Sequence, residues 1–571
     1  MRINYNSLII GVALMLKANF SFSQQLDYKS LESSLQQAVK KVSVATVGVT
    51  EYDTLHNTTE GPTFSAVVIS ADGYILTAAH AAVANRRYQV AFPDGKIVYA
   101  TGLGSIKDFS VDAAVIKILE PGNWPHAEMG WSSALTPFQP CFSLGYPGNM
   151  PQNKLPILRF GYITESKLHK GFISNTALME PGDSGGPLFD INGRVIGIHS
   201  RIDFSLDENF EVPVDKFRLY WNYLMDNRSY SMAAQVQPQE IDPMPASYKV
   251  APIPALENMA NNFSSLISTL EPTCLELSSS LAGQESSALG TLVSLDNSTS
   301  GNSYIISKSS IVGNDSVFVS YKHKSYAAKV IARDPQRDLV LLEVAVRIDN
   351  SIKLTQESTD KKLFTGAGKF LLSPVADGPA LFSVLGTPTV SFIPPRLGSY
   401  IGIRAEEKDQ SLYIDKVDAG SEAETLGMKA GDRIISVNGL NVNTKEDFDW
   451  AVANCPPKTI LRLKGKRNSG ESFKKNITVQ SKGLMTVIQE HPAEKFEGGY
   501  NSRRYGFRKV FIHDARLYPN ECGSPVYDTE GNFMGINIAR VSRTSSLAIP
   551  AEEVRLFLED ALKNQHTISK K

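Results

Sequence analysis

Cysteine is scarce in this 571-residue chain. The four that occur, Cys141, Cys274, Cys455 and Cys522, lie far apart and form no CxxC or other metal-ligand spacing. They read as buried or isolated thiols, which excludes a dense disulfide framework and a zinc-ribbon site. A bias of charge is missing as well. Lys and Arg number 58 against 59 Asp and Glu, for a formal net charge of -1 without long like-charge blocks, so nothing points to a nucleic-acid partner. No stretch approaches the ~18 to 20 apolar residues of a transmembrane helix, and no motif asks for a cofactor or a metal ion. The hydrophobic content of 42% is enough for several ordinary cores, and the length suggests about four domains.

The first residues are informative. Arg2, an apolar run over 8–16 and the small-residue pattern Ser21, Phe22, Ser23 before Gln24 give the three-part layout of a secretory signal peptide. Cleavage is expected after Ser23, and the mature protein is expected to be periplasmic or secreted. An oxidising compartment allows a disulfide, but sequence alone does not pair the four thiols.

The strongest positive signal is GDSGGP at 182–187. A serine hydroxyl is a poor nucleophile near neutral pH unless a base takes its proton and an acid orients that base. Both candidates lie upstream at strand ends: His80 closes GYILTAAH, and Asp112 stands at the lip of the apolar run in DFSVDAAVIKI. The order His, Asp, Ser is the chymotrypsin order, and the hexapeptide resembles the nucleophile loop of trypsin-like serine proteases. On this reading Ser184 attacks, His80 moves the proton and Asp112 fixes the imidazole. Gly182 and Gly185 free the backbone to turn, so that the amides of Gly182 and Ser184 form the oxyanion hole.

From Leu26 to about Tyr223, a short helix at 31–40 precedes many short apolar strands with Gly and Pro turns, the pattern of a two-barrel β protease. Residues 226–255 are rich in Pro, Gln, Ser and Met without periodicity and read as a linker. The chain then repeats itself. YIISKSS aligns with YILTAAH, DPQRDLVLLEV with DFSVDAAVIKI, and PNECGSPVYDTEGNFMGIN with PGDSGGPLFDINGRVIGIH. In this alignment His80 becomes Ser310, Ser184 becomes Cys522, and Asp112 remains as Asp338. Asn520 and Ser524 replace Gly182 and Gly186, and His513, nine positions before Cys522, is not placed as a base. A thiol without a base in reach is a poor nucleophile, so the second unit is expected to be a pseudoprotease.

Asp338 and Cys522 are 184 positions apart, against 72 for Asp112 and Ser184. Within the surplus lie GSYIGI, a strand-rich segment containing MKAGDRIISVNG, and an amphipathic helix at about 445–454. This resembles a PDZ domain, with Tyr400, Ile401, Gly402 and Ile403 as the loop whose amides cradle a peptide C-terminus. The expected fold is therefore mainly β: two chymotrypsin-like double barrels, the first active and the second degenerate, plus a PDZ domain. The expected boundaries are 24–225 for the protease, 226–255 for the linker, 256–396 and 483–566 for the two parts of the second unit, and 397–482 for the inserted PDZ.

Together these motifs resemble the HtrA (Deg) family of exported serine proteases. The resemblance implies proteolysis of misfolded or unassembled envelope polypeptides, PDZ capture of C-termini, and assembly of homo-oligomers such as trimers or cages. The chain departs from that pattern in its second protease unit, in Phe64, Ser65 and Ala66 where a glycine-rich strand is usual, and in a short stretch at 51–62. By motif register Leu178 lies near the floor of the specificity pocket and Ile198, His199 and Ser200 along its wall. The absence of an Asp there argues against cleavage after Lys or Arg and for a small aliphatic residue. Two other functions stay open at this point: a peptide-binding or chaperone-like protein built on a protease scaffold, and a protease regulated by its pseudoprotease–PDZ half.

Overall fold

The structure is a computed structural model. It describes residues 27–568 except 149–154, 204, 232–234, 282, 296–300, 314, 360–365, 377, 393–398, 410, 439, 454–459 and 482–494. The signal-peptide segment and Cys455 lie outside the described residues.

A helix, α1 (Tyr28–Val42), begins the described chain, starting three residues earlier and ending two later than the sequence suggests; Asp27 caps it by accepting the Ser30 amide at 3.0 Å. The first barrel follows: β1 (Thr46–Asp53), β2 (Thr58–Val68), β3 (Tyr74–Thr77), β4 (Arg87–Ala91), β5 (Ile97–Lys107) and β6 (Asp112–Ile118), closed by pairing of β5 with β6. The second contains β7 (Pro140–Gly145), β8 (Ile157–Tyr162), β9 (Ile173–Ser174), β10 (Pro187–Asp190), β11 (Val195–Ile202) and β12 (Asn209–Pro213), and a bridge between Ile163 and Asn175 joins its two edges. β6 shows why such strands read as continuous apolar runs. Ala114, Ile116 and Ile118 fill the barrel, while Ala113 and Val115 on the opposite face enter the large core outside it.

The segment read as a linker is folded onto this unit. Ser229 and Tyr230 form β13 (Ser229–Tyr230) on the edge of β5, and Tyr248 is buried with its hydroxyl 3.1 Å from the Asp190 carboxylate. Its ring lies under the Arg194 guanidinium. An absence of periodicity cannot reveal an anchor that consists of one aromatic side chain.

The second unit repeats the architecture. Its first barrel comprises β14 (Cys274–Leu281), β15 (Gln284–Ser294), β16 (Ser303–Lys308), β17 (Asp315–Tyr321), β18 (Lys324–Asp334) and β19 (Leu339–Val344), with the short β20 (Ile352–Lys353) added at β15. In β19 Val340, Leu342 and Val344 fill the barrel while Leu339 and Leu341 face outward into the next core, the alternation seen in β6. Its second barrel is closed by β21 (Phe370–Ser373), β22 (Leu381–Phe392), β31 (Phe507–His513), β32 (Pro525–Asp528), β33 (Phe533–Arg540) and β34 (Ser546–Pro550).

The PDZ domain interrupts this barrel between β22 and β31, where the first unit has only the short connection from β8 to β9. It consists of β23 (Ser399–Tyr400), β24 (Ile403–Lys408), β25 (Ser411–Val417), β26 (Arg433–Val437), β27 (Leu440–Asn441), the helix α2 (Lys445–Ala453), β28 (Ile460–Lys466), β29 (Ser472–Thr478) and β30 (Gln480–Ser481), with its own core. A last helix, α3 (Ala551–Ile568), presents Val554, Phe557, Leu558 and Ala561 to the second unit's core, a single stripe at helical spacing.

The two units share one core. Leu31 and Leu35 of α1 join Phe370, Leu372 and Val384 of the second unit in the cluster that also holds Phe142 and Leu158 of the first. Glu32 accepts the Phe370 amide at 2.7 Å, and Phe160 meets Phe370 with ring centroids 5.7 Å apart. The half-buried Asp514 carboxylate joins the two barrels by accepting the amide of Phe160 in β8 at 3.0 Å and that of Val384 in β22 at 2.6 Å. Replacing Asp514 by Ala orphans two amides at this junction. We expect a loss of about 2–4 kcal/mol, read as an earlier first transition in urea.

Candidate active site

His80 follows β3 across a short turn, and Asp112 is the first residue of β6, the strand paired with β3. The pairing brings two residues 32 positions apart into contact. Asp112 Oδ2 lies 2.6 Å from His80 Nδ1, and Oδ1 accepts the His80 amide at 2.9 Å. The Ser200 hydroxyl, from β11 of the second barrel, donates to Asp112 Oδ2 at 2.7 Å. Burial pushes the Asp112 carboxyl upward in pKa, but the hydrogen bond and charge of His80 and the Ser200 hydroxyl outweigh it and hold the group below its ordinary value. Asp112 therefore stays ionised at neutral pH, Nδ1 is committed as a donor, and Nε2 is left as the basic nitrogen.

Ser184 sits across the inter-barrel cleft on the loop between β9 and β10. Ser65 of β2 anchors that loop from behind: its amide donates to the Ser184 carbonyl at 3.0 Å and its hydroxyl to the Gly182 carbonyl at 2.8 Å. Gly182 adopts φ +101, and a Cβ there would stand 2.3 Å from the Gly148 amide nitrogen. Only glycine fits that turn. Among the described residues neither the Gly182 nor the Ser184 amide donates to an internal acceptor, so both remain available to a developing oxyanion. No hydrogen bond joins Ser184 Oγ to His80 among the described residues, a contact that commonly tightens only around a substrate.

The residues expected to form the specificity pocket have separate surroundings. Leu178 is buried against Leu206, Phe496 and Tyr500, the last two from the second unit. Ile198 belongs to the large core with Phe217 and Val214. His199 is fully buried with Nδ1 2.6 Å from Glu211 Oε2, and Ser200 supports Asp112. As side chains, Leu178 and Ile198 are thus packed rather than open, and they do not define a small aliphatic preference.

In the PDZ domain Tyr400, Ile401, Gly402 and Ile403 lead into β24, which pairs with β25 on one side and stands at the edge of its sheet, beside α2. The Tyr400 hydroxyl bonds the Asp418 carboxylate. Gly402 has φ +76, and a Cβ there would lie 2.3 Å from that of Ser421. Edge strand, adjacent helix and glycine loop form the geometry into which a peptide adds as a further strand.

Comparison with known proteins agrees with both parts. A trypsin-like peptidase domain matches residues 64–198 and a PDZ domain residues 399–480. A probable periplasmic serine endoprotease DegP-like from Chlamydia muridarum is 23% identical over 422 residues, 69% of this chain and 71% of its own length. In both parts the chain is similar to PDZ-bearing serine proteases of the HtrA (Deg) kind. A DegP-like protein of Halomonas elongata is 31% identical over 157 residues, 26% of this chain and 32% of the relative. The putative serine protease HhoB of Synechocystis is 31% identical over 150 residues, 25% of this chain and 35% of the relative. The chain spans only about a third of the length of those two relatives.

The second unit repeats two of the bonds that frame the nucleophile loop in the first. The Leu289 amide donates to the Cys522 carbonyl as Ser65 does to Ser184, and the Ser307 hydroxyl to the Leu289 carbonyl as Thr77 does to Ser65. Ser310 takes the place of His80: its amide and hydroxyl both bond Asp338, at 2.8 Å each. Asp338 is further paired with the buried Lys308 ammonium at 2.7 Å. Cys522 is fully buried, and burial pushes its thiol up to about 11. His513 lies in the barrel with its pKa lowered by burial to about 4.

Sequence reasoning assigned no role to Ser65 or Glu211, and it placed Ser200 in a pocket wall instead of behind Asp112. A serine within a strand, as in HSR of β11, carries no signal of its own until the cleft is built. With its pKa raised, Cys522 holds little thiolate at neutral pH and gains it only near pH 11. Alkylation of the native protein by iodoacetamide at this thiol should run at least about 100-fold slower than that of a free cysteine peptide, with full reactivity returning in denaturant, as read by mass spectrometry.

Proposed function

We propose that this chain is an exported serine endopeptidase that cuts misfolded or unassembled envelope polypeptides. Ser184 Oγ attacks the scissile carbonyl while His80 Nε2 takes its proton; the imidazolium is balanced by Asp112, which Ser200 holds in place. The oxyanion is met by the amides of Gly182 and Ser184. His80 then protonates the leaving amine, and water, deprotonated by the same nitrogen, releases the acyl group from Ser184. The observation that carries this reading is the His80–Asp112 pair, which commits Nδ1 and frees Nε2. The names of the relatives, periplasmic serine endoproteases, support export and the same chemistry.

The second unit, without base or accessible nucleophile, is a pseudoprotease that supports the first. The PDZ domain takes peptide C-termini along β24, and its α2 is tied to the second unit by the Asp447–Arg508 ion pair.

A fluorophosphonate probe tests the chemistry. The wild-type chain and a Cys522→Ala variant should label and digest unfolded casein alike, whereas Ser184→Ala should do neither; failure of the folded wild type to label would leave a binding or chaperone function. Gly402→Ala, strained at its positive φ and crowding Ser421, should weaken binding of a C-terminal peptide by about tenfold or more in fluorescence polarisation while leaving probe labelling of Ser184 unchanged.

A further inference from the structure

The catalytic loop is held from behind by a buried charge cluster that the first unit does not complete. Asp183, between the two residues whose amides face the oxyanion, is fully buried and pairs through Oδ2 with Arg159 Nη1 of β8 at 2.8 Å. The same oxygen accepts the Glu180 amide at 2.9 Å. Glu180 stands beside the same guanidinium, with Oε1 3.5 Å from Nη2. A long contact of this kind satisfies neither partner, and burial costs are severe for charges that are not met.

What fills the gap comes from the second unit. Thr544, in the turn between β33 and β34, accepts from Arg159 Nη2 at 3.0 Å and donates to Glu180 Oε1 at 2.6 Å. Its hydroxyl thus completes the guanidinium–carboxylate contact. The adjacent Arg543, also buried, donates to the carbonyls of Asp203 at 3.1 Å and Ser205 at 2.5 Å. Those two residues lie between β11 and β12, the first-unit counterpart of the turn that carries Arg543 and Thr544. Equivalent loops of the two copies therefore interlock behind the catalytic residues.

Asp183 is bonded directly to Gly182 and Ser184, so its anchoring fixes the peptide planes whose N–H groups meet the oxyanion. We infer that the second unit is a built-in brace for the catalytic loop of the first, with Thr544 and Arg543 as positioning residues that set the oxyanion amides through Glu180, Arg159 and Asp183. This rests on the endopeptidase reading and names the partner that keeps that site competent.

Thr544→Val keeps the shape of the side chain and removes the hydroxyl, while Thr544→Ser keeps the hydroxyl. Each full-length variant is measured for fluorophosphonate labelling, kcat and KM on an unfolded substrate, and thermal melting. Thr544→Val should lose about tenfold or more in labelling rate and kcat with KM within about twofold, and Thr544→Ser should stay within about twofold of wild type throughout. Should the valine variant not fold, Thr544→Ala removes the same hydroxyl without a methyl against Glu180 and should show the same loss. Wild-type rates in a folded Thr544→Val or Thr544→Ala, or an equal loss in Thr544→Ser, overturn the brace and leave proteolysis standing. A folded wild type that never labels overturns both.

Discussion

A guanidinium closed off from bulk solvent is the constraint around which this molecule is arranged. Arg159 is enclosed at the seam of the two units, and an ion in such a place is tolerated only when neighbouring groups replace its hydration. Asp183 and Glu180 answer its charge, and the loop that supplies both also carries Ser184. The placement of the nucleophile is therefore tied to the solvation of a charge some distance from it. That charge can be solvated only if the second unit is docked, because the hydroxyl completing the contact is contributed 385 positions further along the chain.

Docking itself is mostly apolar. α1 inserts between the units, with Leu31 and Leu35 on one stripe and the acid Glu32 turned to the Phe370 amide. Phe263 meets Tyr28 with centroids 4.5 Å apart and stacks near Phe382. A core that draws on a helix at the start of the chain, a barrel in its first half and a barrel closed near its end gives the units little freedom to part separately. The polar contacts at Asp514 and Thr544 then select one register among the apolar packings, since a shift of one residue would orphan amides or a charge.

Much of this was legible in the sequence because repetition supplied a second reading of each motif. The alternation in DAAVIKI and LVLLEV predicts strands buried on both faces, and β6 and β19 have that burial. GDSGGP and its degenerate copy announce two protease-like units, and MKAGDRIISVNG announces the PDZ core. The remainder was not legible, for a physical reason: it lives in contacts without local signature. Tyr248 anchors a Pro- and Gln-rich segment as a single ring, and Leu178 is closed over by Phe496 and Tyr500 across the PDZ insertion. Thr544 sits among serines in a turn like many others. Strand periodicity reports which face is buried, not which partner covers it.

The same comparison explains how the second copy drifted without losing its fold. In the first unit, among the described residues, no lysine or arginine pairs with Asp112, so its charge is available to an imidazole that gains and loses a proton. In the second, the Lys308 ammonium neutralises Asp338 permanently and Ser310 takes the remaining hydrogen bonds. A histidine restored at Ser310 would compete with that lysine for the carboxylate and would face a fully buried thiol already bonded to the Asn501 side-chain oxygen at 3.3 Å. The loop has closed as well: Pro519–Glu521 form a tight helical turn in which the Glu521 carboxylate, the counterpart of Asp183, accepts the Tyr518 amide instead of an arginine. The group that in the first unit reaches outward to be set by a neighbour is here spent within its own turn.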